Sequence, residues 1–197
     1  MTTLKAEKRS MDVKAKKLRR EGFVTGNLFG REIEGSIPLK FTKKEIEVLL
    51  KNNNKGSQVM LELDGKTYDA LIKEVDYNPL AHTVEEVDFQ ALVSNEMVHS
   101  TAEIILENEE KVMSGVLQDE LKEVAYKALP ADLVDKIKVD VAGMKIGDTL
   151  RVKDLEIAKN KNIHITTDLE AVIATVTPVH NVVPETETEA EETAEEK

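Results

Sequence analysis

The chain has 197 residues, of which 41% are hydrophobic and only 4% aromatic, and it contains neither Cys nor Trp. The absence of Cys excludes disulfides, thiolate metal sites and thiol nucleophiles, and it is typical of a reducing compartment. No apolar run approaches the roughly 20 residues that a membrane span needs, and the basic N-terminus lacks the apolar segment of a secretory signal. We therefore expect a soluble, cytoplasmic protein with no membrane partner and with a core of mainly Val, Ile and Leu.

The net charge of −11 is distributed unevenly along the chain. Residues 1–55 hold 14 Lys and Arg against 7 Asp and Glu, whereas residues 91–197 hold 11 against 23. Such an asymmetry is informative where the total charge is not. A polyanion is expected to be attracted to the first quarter of the chain and repelled by its second half.

The first predicted elements are a short strand at residues 2–7 and a basic helix at residues 11–22. The 3.6-residue period gives this helix one narrow inward face. The members of that face are Met11, Ala15, Leu18 and Gly22. A short strand follows at residues 24–29, and Gly26 and Gly30 are predicted to form tight ends.

The clearest local signals are a helix cap and a hairpin turn. Thr42, followed three residues later by Glu45, forms a capping box at the start of a second helix. Asp64-Gly65 stands between two segments of alternating hydrophobicity, which predicts a hairpin with a primed turn. A further alternating segment at residues 84–89 predicts another strand.

The second half of the chain is also predicted to be mainly β. Alternating or apolar segments predict strands at residues 100–107, 123–129, 137–141, 149–152 and 171–176. The predicted fold class is thus mainly β with short helices, or α+β: a small β-barrel domain at residues 1–92 and a second β-rich domain at residues 93–180. The acidic tail at residues 181–197 is too polar to bury a core and is predicted to be disordered.

No catalytic, cofactor or metal site is expected. The four histidines do not share a ligand spacing, and no GxSxG, Walker or GxGxxG motif is present. The adjacent acids Glu85 and Glu86 are predicted to lie on opposite faces of a strand, where they cannot act as an acid/base couple. The sequence therefore favours a protein that is not an enzyme and has no small-molecule substrate.

The basic helix is the candidate binding element. Its cations are Lys14, Lys16, Lys17, Arg19 and Arg20, flanked but not interrupted by acids. Such a run is either a solvated helix face or a phosphate-binding surface whose affinity falls with salt. Phe29, a little further on, is either a core residue or a side chain that stacks on a nucleotide.

The segment AKKLRREGFVTGNLFG, residues 15–30, resembles the basic signature of the bacterial large-subunit ribosomal protein twenty-five family, in its Ctc general stress protein type. The resemblance continues through residues 64–89 and into the second half at residues 115–124, 128–155 and 171–176. It implies an N-terminal barrel that binds 5S ribosomal RNA at an internal-loop helix. It also implies a ribosome-associated protein whose partners are the large subunit and neighbouring ribosomal proteins, and a second domain found in the longer, Ctc-like members.

The same resemblance assigns Lys16, Lys17, Arg19 and Arg20 to the RNA-facing basic stretch, Arg9 to an earlier basic position, and Asp88 to an acceptor for a base edge or an RNA hydroxyl. We expect specificity to come from the barrel face around Lys73 and Asp88. Two departures bear on affinity: Phe29 stands where Tyr is usual, and Glu86 stands where His is common.

One alternative remains open at this point. The acidic second half and tail could form a protein-interaction module for a basic partner, with RNA contact incidental. Deletion of residues 93–197 separates the two hypotheses, because an RNA-binding barrel is expected to retain its affinity once about twelve negative charges are removed.

Overall fold

A computed structural model describes residues 2–112 and 115–178 of the chain. None of the helices in these two ranges is long and apolar enough to cross a membrane. The acidic tail at residues 181–197, which the sequence predicts to be disordered, lies outside the described residues.

The N-terminal part of the chain is a closed six-stranded barrel with two helices. Its strands are β1 (Thr2–Lys8), β2 (Phe23–Phe29), β3 (Ser36–Thr42), β4 (Gln58–Leu63), β5 (Lys66–Asn78) and β6 (Thr83–Ala91), and its helices are α1 (Ala15–Arg20) and α2 (Lys43–Asn52). The order around the barrel is β1-β3-β2-β6-β5-β4, and parallel pairing of β1 with β4 closes it. Closure leaves no free strand edge.

Alternation along the strands fills the barrel core. In β6, Val87 and Phe89 are buried, whereas Asp88 between them lies on the outer face. The rings of Phe89 and Phe41 meet in a tilted arrangement with their centroids 5.4 Å apart. Aliphatic side chains surround this aromatic pair, as expected from the composition.

The two local signals of the barrel are confirmed. Asp64 and Gly65 have φ angles of 50° and 76°, as a primed hairpin turn requires. The side chain of Thr42 accepts a hydrogen bond from the backbone N–H of Glu45, and the Glu45 carboxylate accepts one from the backbone N–H of Thr42. Each motif uses only neighbouring residues, which is why the sequence was sufficient to predict it.

Two details of the predicted barrel are wrong. The basic helix begins at Ala15 instead of residue 11, and Met11, predicted to face inward, is 72% exposed. Only Leu18 anchors this one-and-a-half-turn helix. Gly26 is not a strand end but lies within β2, where a Cβ atom would come within 2.0 Å of the Val87 carbonyl oxygen on β6.

The second domain is a pair of small sheets. The strands are β7 (Val98–Glu107), β8 (Val116–Asp119), β9 (Glu123–Ala128), β10 (Lys136–Asp140), β11 (Thr149–Arg151), β12 (His164–Ile165) and β13 (Val172–Thr177). One sheet has the order β10-β7-β9-β12 and the other β11-β13-β8. All five predicted strands are present, and the short strands β8 and β12 were not predicted as strands. The class prediction, a barrel followed by a second β domain, is confirmed.

Candidate nucleic-acid interface

Helix α1 lies against β2 with its cations outward. Burial of Leu18 fixes the helix on the barrel, and this orientation leaves Lys14, Lys16 and Arg20 exposed. Within residues 2–112 and 115–178 these three side chains form no ion pair. Lys17 has a loose one, 3.8 Å from Glu21 across one helical turn. Three unpaired, exposed cations can therefore approach a phosphate group without first breaking an internal bond.

Arg19 is different from its neighbours, because two carboxylates of β6 hold it. Its Nη1 lies 3.0 Å from Oε2 of Glu85 and its Nη2 lies 3.4 Å from Oε2 of Glu86. Its Nε donates a hydrogen bond of 3.1 Å to the Glu85 carbonyl oxygen. The guanidinium is thus already engaged within the protein and is not freely presented.

The prediction that Glu85 and Glu86 lie on opposite faces is wrong, since both reach the same guanidinium. The reason is a break in the β5–β6 register. Asp76 pairs with Glu86 but Tyr77 pairs with Val84, so Glu85 is the extra residue of a bulge. A bulge interrupts the two-residue period and redirects the side chain.

Asp88 of β6 links this strand to β2 through hydrogen bonds with Asn27. Its Oδ1 accepts hydrogen bonds from the backbone N–H of Asn27, at 2.9 Å, and from the Asn27 side-chain amide, at 3.0 Å. The same amide also donates to Oε1 of Glu86 at 3.3 Å. These bonds orient both carboxylates on the outer surface of the barrel.

An acidic hollow of about 280 Å³ lies on this outer surface. Four carboxylates line it: Glu74, Asp76, Glu86 and Asp88. They form two directly opposed cross-strand pairs, Glu74 with Asp88 and Asp76 with Glu86. Like charges directly opposite each other on neighbouring strands repel, which is unfavourable. Among the described residues, no group of His, Asp or Glu side chains is arranged to hold a metal ion. Sequence reasoning missed Glu74, Asp76 and Asn27, because only the strand register brings them beside Asp88.

Phe29 does not line the hollow but lies beyond it along β2, in the direction away from α1. It follows Asn27 on the same face of β2, is half-buried, and pairs with Gln90 of β6. Gln90 lies four residues beyond Glu86 on the same strand, which is about 13 Å along it. Because Phe29 is only half-buried, part of its side chain is available to a flat ligand group. The aromatic residues of the barrel core are Phe41 and Phe89.

Two other predicted site residues occupy different positions. Arg9 donates from its Nη2 to the Val13 carbonyl oxygen at 3.1 Å, and its buried Nε has no hydrogen-bond partner in the described residues. Lys73 is the extra residue of a second bulge, since Ile72 pairs with Phe89 and Glu74 with Asp88. Its ammonium group donates to the His99 carbonyl oxygen of the second domain at 2.8 Å, so the structure does not bring Lys73 into the hollow with Asp88.

Comparison with known proteins places the whole chain in one family. The sequence matches the Ribosomal L25p family over residues 4–89 and the domain described as Ribosomal protein TL5, C-terminal domain, over residues 97–180. It is 30% identical to large ribosomal subunit protein bL25 of Dictyoglomus thermophilum, with 98% of this chain and 97% of the relative covered. It is 32% identical to the protein of the same name from Carboxydothermus hydrogenoformans, with 92% and 94% covered.

These matches include both domains and nearly the full length of the relatives, which are structural ribosomal proteins and not enzymes. The chain therefore belongs to the bL25 family of bacterial large ribosomal subunit proteins.

Proposed function

We propose that this ribosomal protein binds 5S ribosomal RNA through residues 1–92 and thereby joins the large subunit. The observation that carries the proposal is the trio of exposed cations on α1, Lys14, Lys16 and Arg20, which have no ion-pair partner in the described part of the chain. They stand at one edge of the outer face formed by β2 and β6. Phosphate contacts of this kind supply most of the salt-dependent affinity for a nucleic acid.

The proposed interface has two parts with different chemistry. The α1 cations, with Lys17, contact phosphates and set the position of the RNA. Carboxylates in the acidic hollow repel phosphates, but they accept hydrogen bonds from cytosine amino groups and from 2′-hydroxyls. Asp88, held in place by Asn27, is the principal acceptor. Phe29 stacks on an unpaired base beyond the far edge of the hollow.

The charge distribution favours RNA contact at the N-terminal end of the chain. Residues 91–197 carry 23 acidic against 11 basic residues, so the second domain and the tail repel the RNA backbone. A cytoplasmic, ribosome-associated location with contacts to neighbouring ribosomal proteins is part of the proposal. A stress-linked role is also part of it, and co-sedimentation with ribosomes from stressed and unstressed cells tests that role.

Titration of the full chain with 5S ribosomal RNA in a gel-shift assay tests the proposal. We expect binding whose logarithmic affinity falls linearly with the logarithm of the salt concentration, with a slope near −3 for about four phosphate contacts. A transfer RNA of similar charge measures the non-specific component. Equal affinity for both RNAs would contradict the 5S assignment and favour a protein-interaction role for the acidic second domain.

Glu86→Gln is expected to strengthen RNA binding. The change removes one negative charge from the hollow and releases Nη2 of Arg19, while Gln can still accept from Asn27. A gain of about 1 kcal/mol, or about fivefold in affinity, follows from one charge at the screening of a surface site. Gel-shift titrations at two salt concentrations measure it, and the gain is expected to shrink as salt is added.

Glu110→Gln is the matched control, because it removes the same charge from an exposed position in the second domain. An equal gain in both variants would show that only net charge matters. In that case the contact between Glu86 and Arg19 would have no part in RNA binding.

A further inference from the structure

The junction between the two domains contains a second polar cavity, of about 260 Å³. Its lining includes Lys55, Lys73, Glu74, His99, Ser100 and Thr101. The domains touch directly beside it. Gly56 adopts a φ of +89°, and a Cβ atom there would lie 1.8 Å from the Thr101 carbonyl oxygen, so no side chain fits between the two backbones.

Positive charge predominates among the groups that are free to bind at this cavity. Lys73 is half-buried, and its described protein partner is a neutral one, the His99 carbonyl oxygen. Lys55 lies 3.7 Å from the Glu123 carboxylate, at the limit of an ion pair. Each ammonium group carries three N–H donors, so donors remain on both lysines.

Most carboxylates near the cavity contact groups other than the two lysines. Glu103 accepts a hydrogen bond from Asn54, and Asp135 accepts one from Ser57 at 3.4 Å. Glu74 lines both this cavity and the acidic hollow, where it faces Asp88. Among the described residues Lys73 therefore forms no ion pair, and Lys55 forms only the long one to Glu123.

The positive charges around the cavity also affect the pKa values of Lys73 and His99. Burial lowers the pKa of Lys73, and the charge of Lys55 lowers it further, against a smaller opposing effect of the Glu74 carboxylate. The pKa of His99 is lowered first by burial and then by Lys127 and Lys73. An anion placed in the cavity would relieve this repulsion and raise both pKa values.

We propose that the junction cavity binds a phosphate group, held by the ammonium groups of Lys55 and Lys73 and by the Thr101 hydroxyl. Lysine ammonium groups and hydroxyls are common donors to phosphate. The phosphate belongs either to an RNA backbone or to a free phosphate compound. The first case rests on the proposed RNA-binding function, and it makes the second domain a part of the RNA site through His99 and Thr101.

NMR titration of the His99 ring in the full chain tests the cavity itself, with inorganic pyrophosphate as the probe. We expect the pKa of His99 to be higher in pyrophosphate than in chloride at the same ionic strength. The difference is expected to disappear in Lys73→Gln and to persist in Lys161→Gln, an exposed lysine of the second domain. Lys55 is more exposed than Lys73, so Lys55→Gln tests the same loss of the His99 response even if Lys73→Gln does not fold.

Gel-shift titration of the same variants with 5S ribosomal RNA separates the two sources of phosphate. If RNA fills the cavity, Lys73→Gln weakens RNA binding about fivefold and lowers the salt slope by about one. A pyrophosphate response with unchanged RNA binding assigns the cavity to a free phosphate compound. Absence of both effects overturns the proposal.

Failure of the RNA-binding function itself gives a different pattern. A variant with Lys14, Lys16 and Arg20 replaced by Gln tests that function without touching the cavity. Its His99 ring is expected to respond to pyrophosphate as in the parent, whatever happens to its affinity for RNA.

Discussion

Replacement of Lys14, Lys16 and Arg20 together by Gln is expected to weaken 5S ribosomal RNA binding by about 100-fold. Each side chain is exposed and has no ion-pair partner among the described residues, so its loss removes a phosphate contact without disturbing the barrel. Three contacts of about 1 kcal/mol each give this factor. The salt slope is expected to fall by about two to three at the same time, because fewer counterions are released.

Arg19 is excluded from this set for a structural reason. Its replacement would leave Glu85 and Glu86 without their shared partner and would confuse a change in the barrel surface with a loss of RNA contact. The set also leaves the buried anchor Leu18 intact, so the helix should remain in place.

Lys5, Lys44 and Lys51, changed together to Gln, are the matched control. All three are exposed and lie on β1 and α2, away from the acidic hollow, and their loss changes the net charge by the same amount. A similar loss of affinity in the control variant would mean that total charge governs binding and that α1 is not the contact surface.

Gly26→Ala is expected to lower the free energy of unfolding by about 3 kcal/mol, at the upper end of the usual cost of overpacking. The added Cβ atom would lie 2.0 Å from the Val87 carbonyl oxygen and 3.2 Å from Cε2 of Phe41. The first of these is a backbone atom of a neighbouring barrel strand, so a change of side-chain rotamer cannot remove the overlap. Urea denaturation of both proteins measures the difference.

Gly143→Ala provides the comparison for this substitution. A Cβ atom at Gly143 meets nothing within 4 Å, and its backbone is not in the left-handed region. The expected change is within about 0.5 kcal/mol. Equal destabilisation by the two substitutions would show that the close approach of β2 to β6 is not responsible, because the lower flexibility of the unfolded chain would stabilise both variants.

The functional consequence of Gly26 follows from its place beside Asn27. Close approach of β2 to β6 allows the Asn27 backbone and side chain to bind Asp88. Partial separation of the strands would therefore disturb the acidic hollow before the barrel unfolds. RNA binding by Gly26→Ala is expected to be impaired even where the protein is still folded.

The amino-acid sequence by itself determined the local features of this protein. The capping box at Thr42 and the primed turn at Asp64-Gly65 need only residues a few positions apart, and alternation located most of the strands. The basic character of α1 was also visible directly. Such features are encoded by short-range geometry, which depends little on the rest of the chain.

Tertiary structure decided which of the basic residues are free and which acids share their surface. Bulges at Lys73 and Glu85 shift the β5–β6 register, which sends Lys73 toward the second domain and brings Glu85 and Glu86 together on Arg19. Strict alternation predicts the opposite arrangement for Glu85 and Glu86. Register depends on pairing between strands that are distant in the sequence, and one extra residue reverses the direction of every side chain that follows.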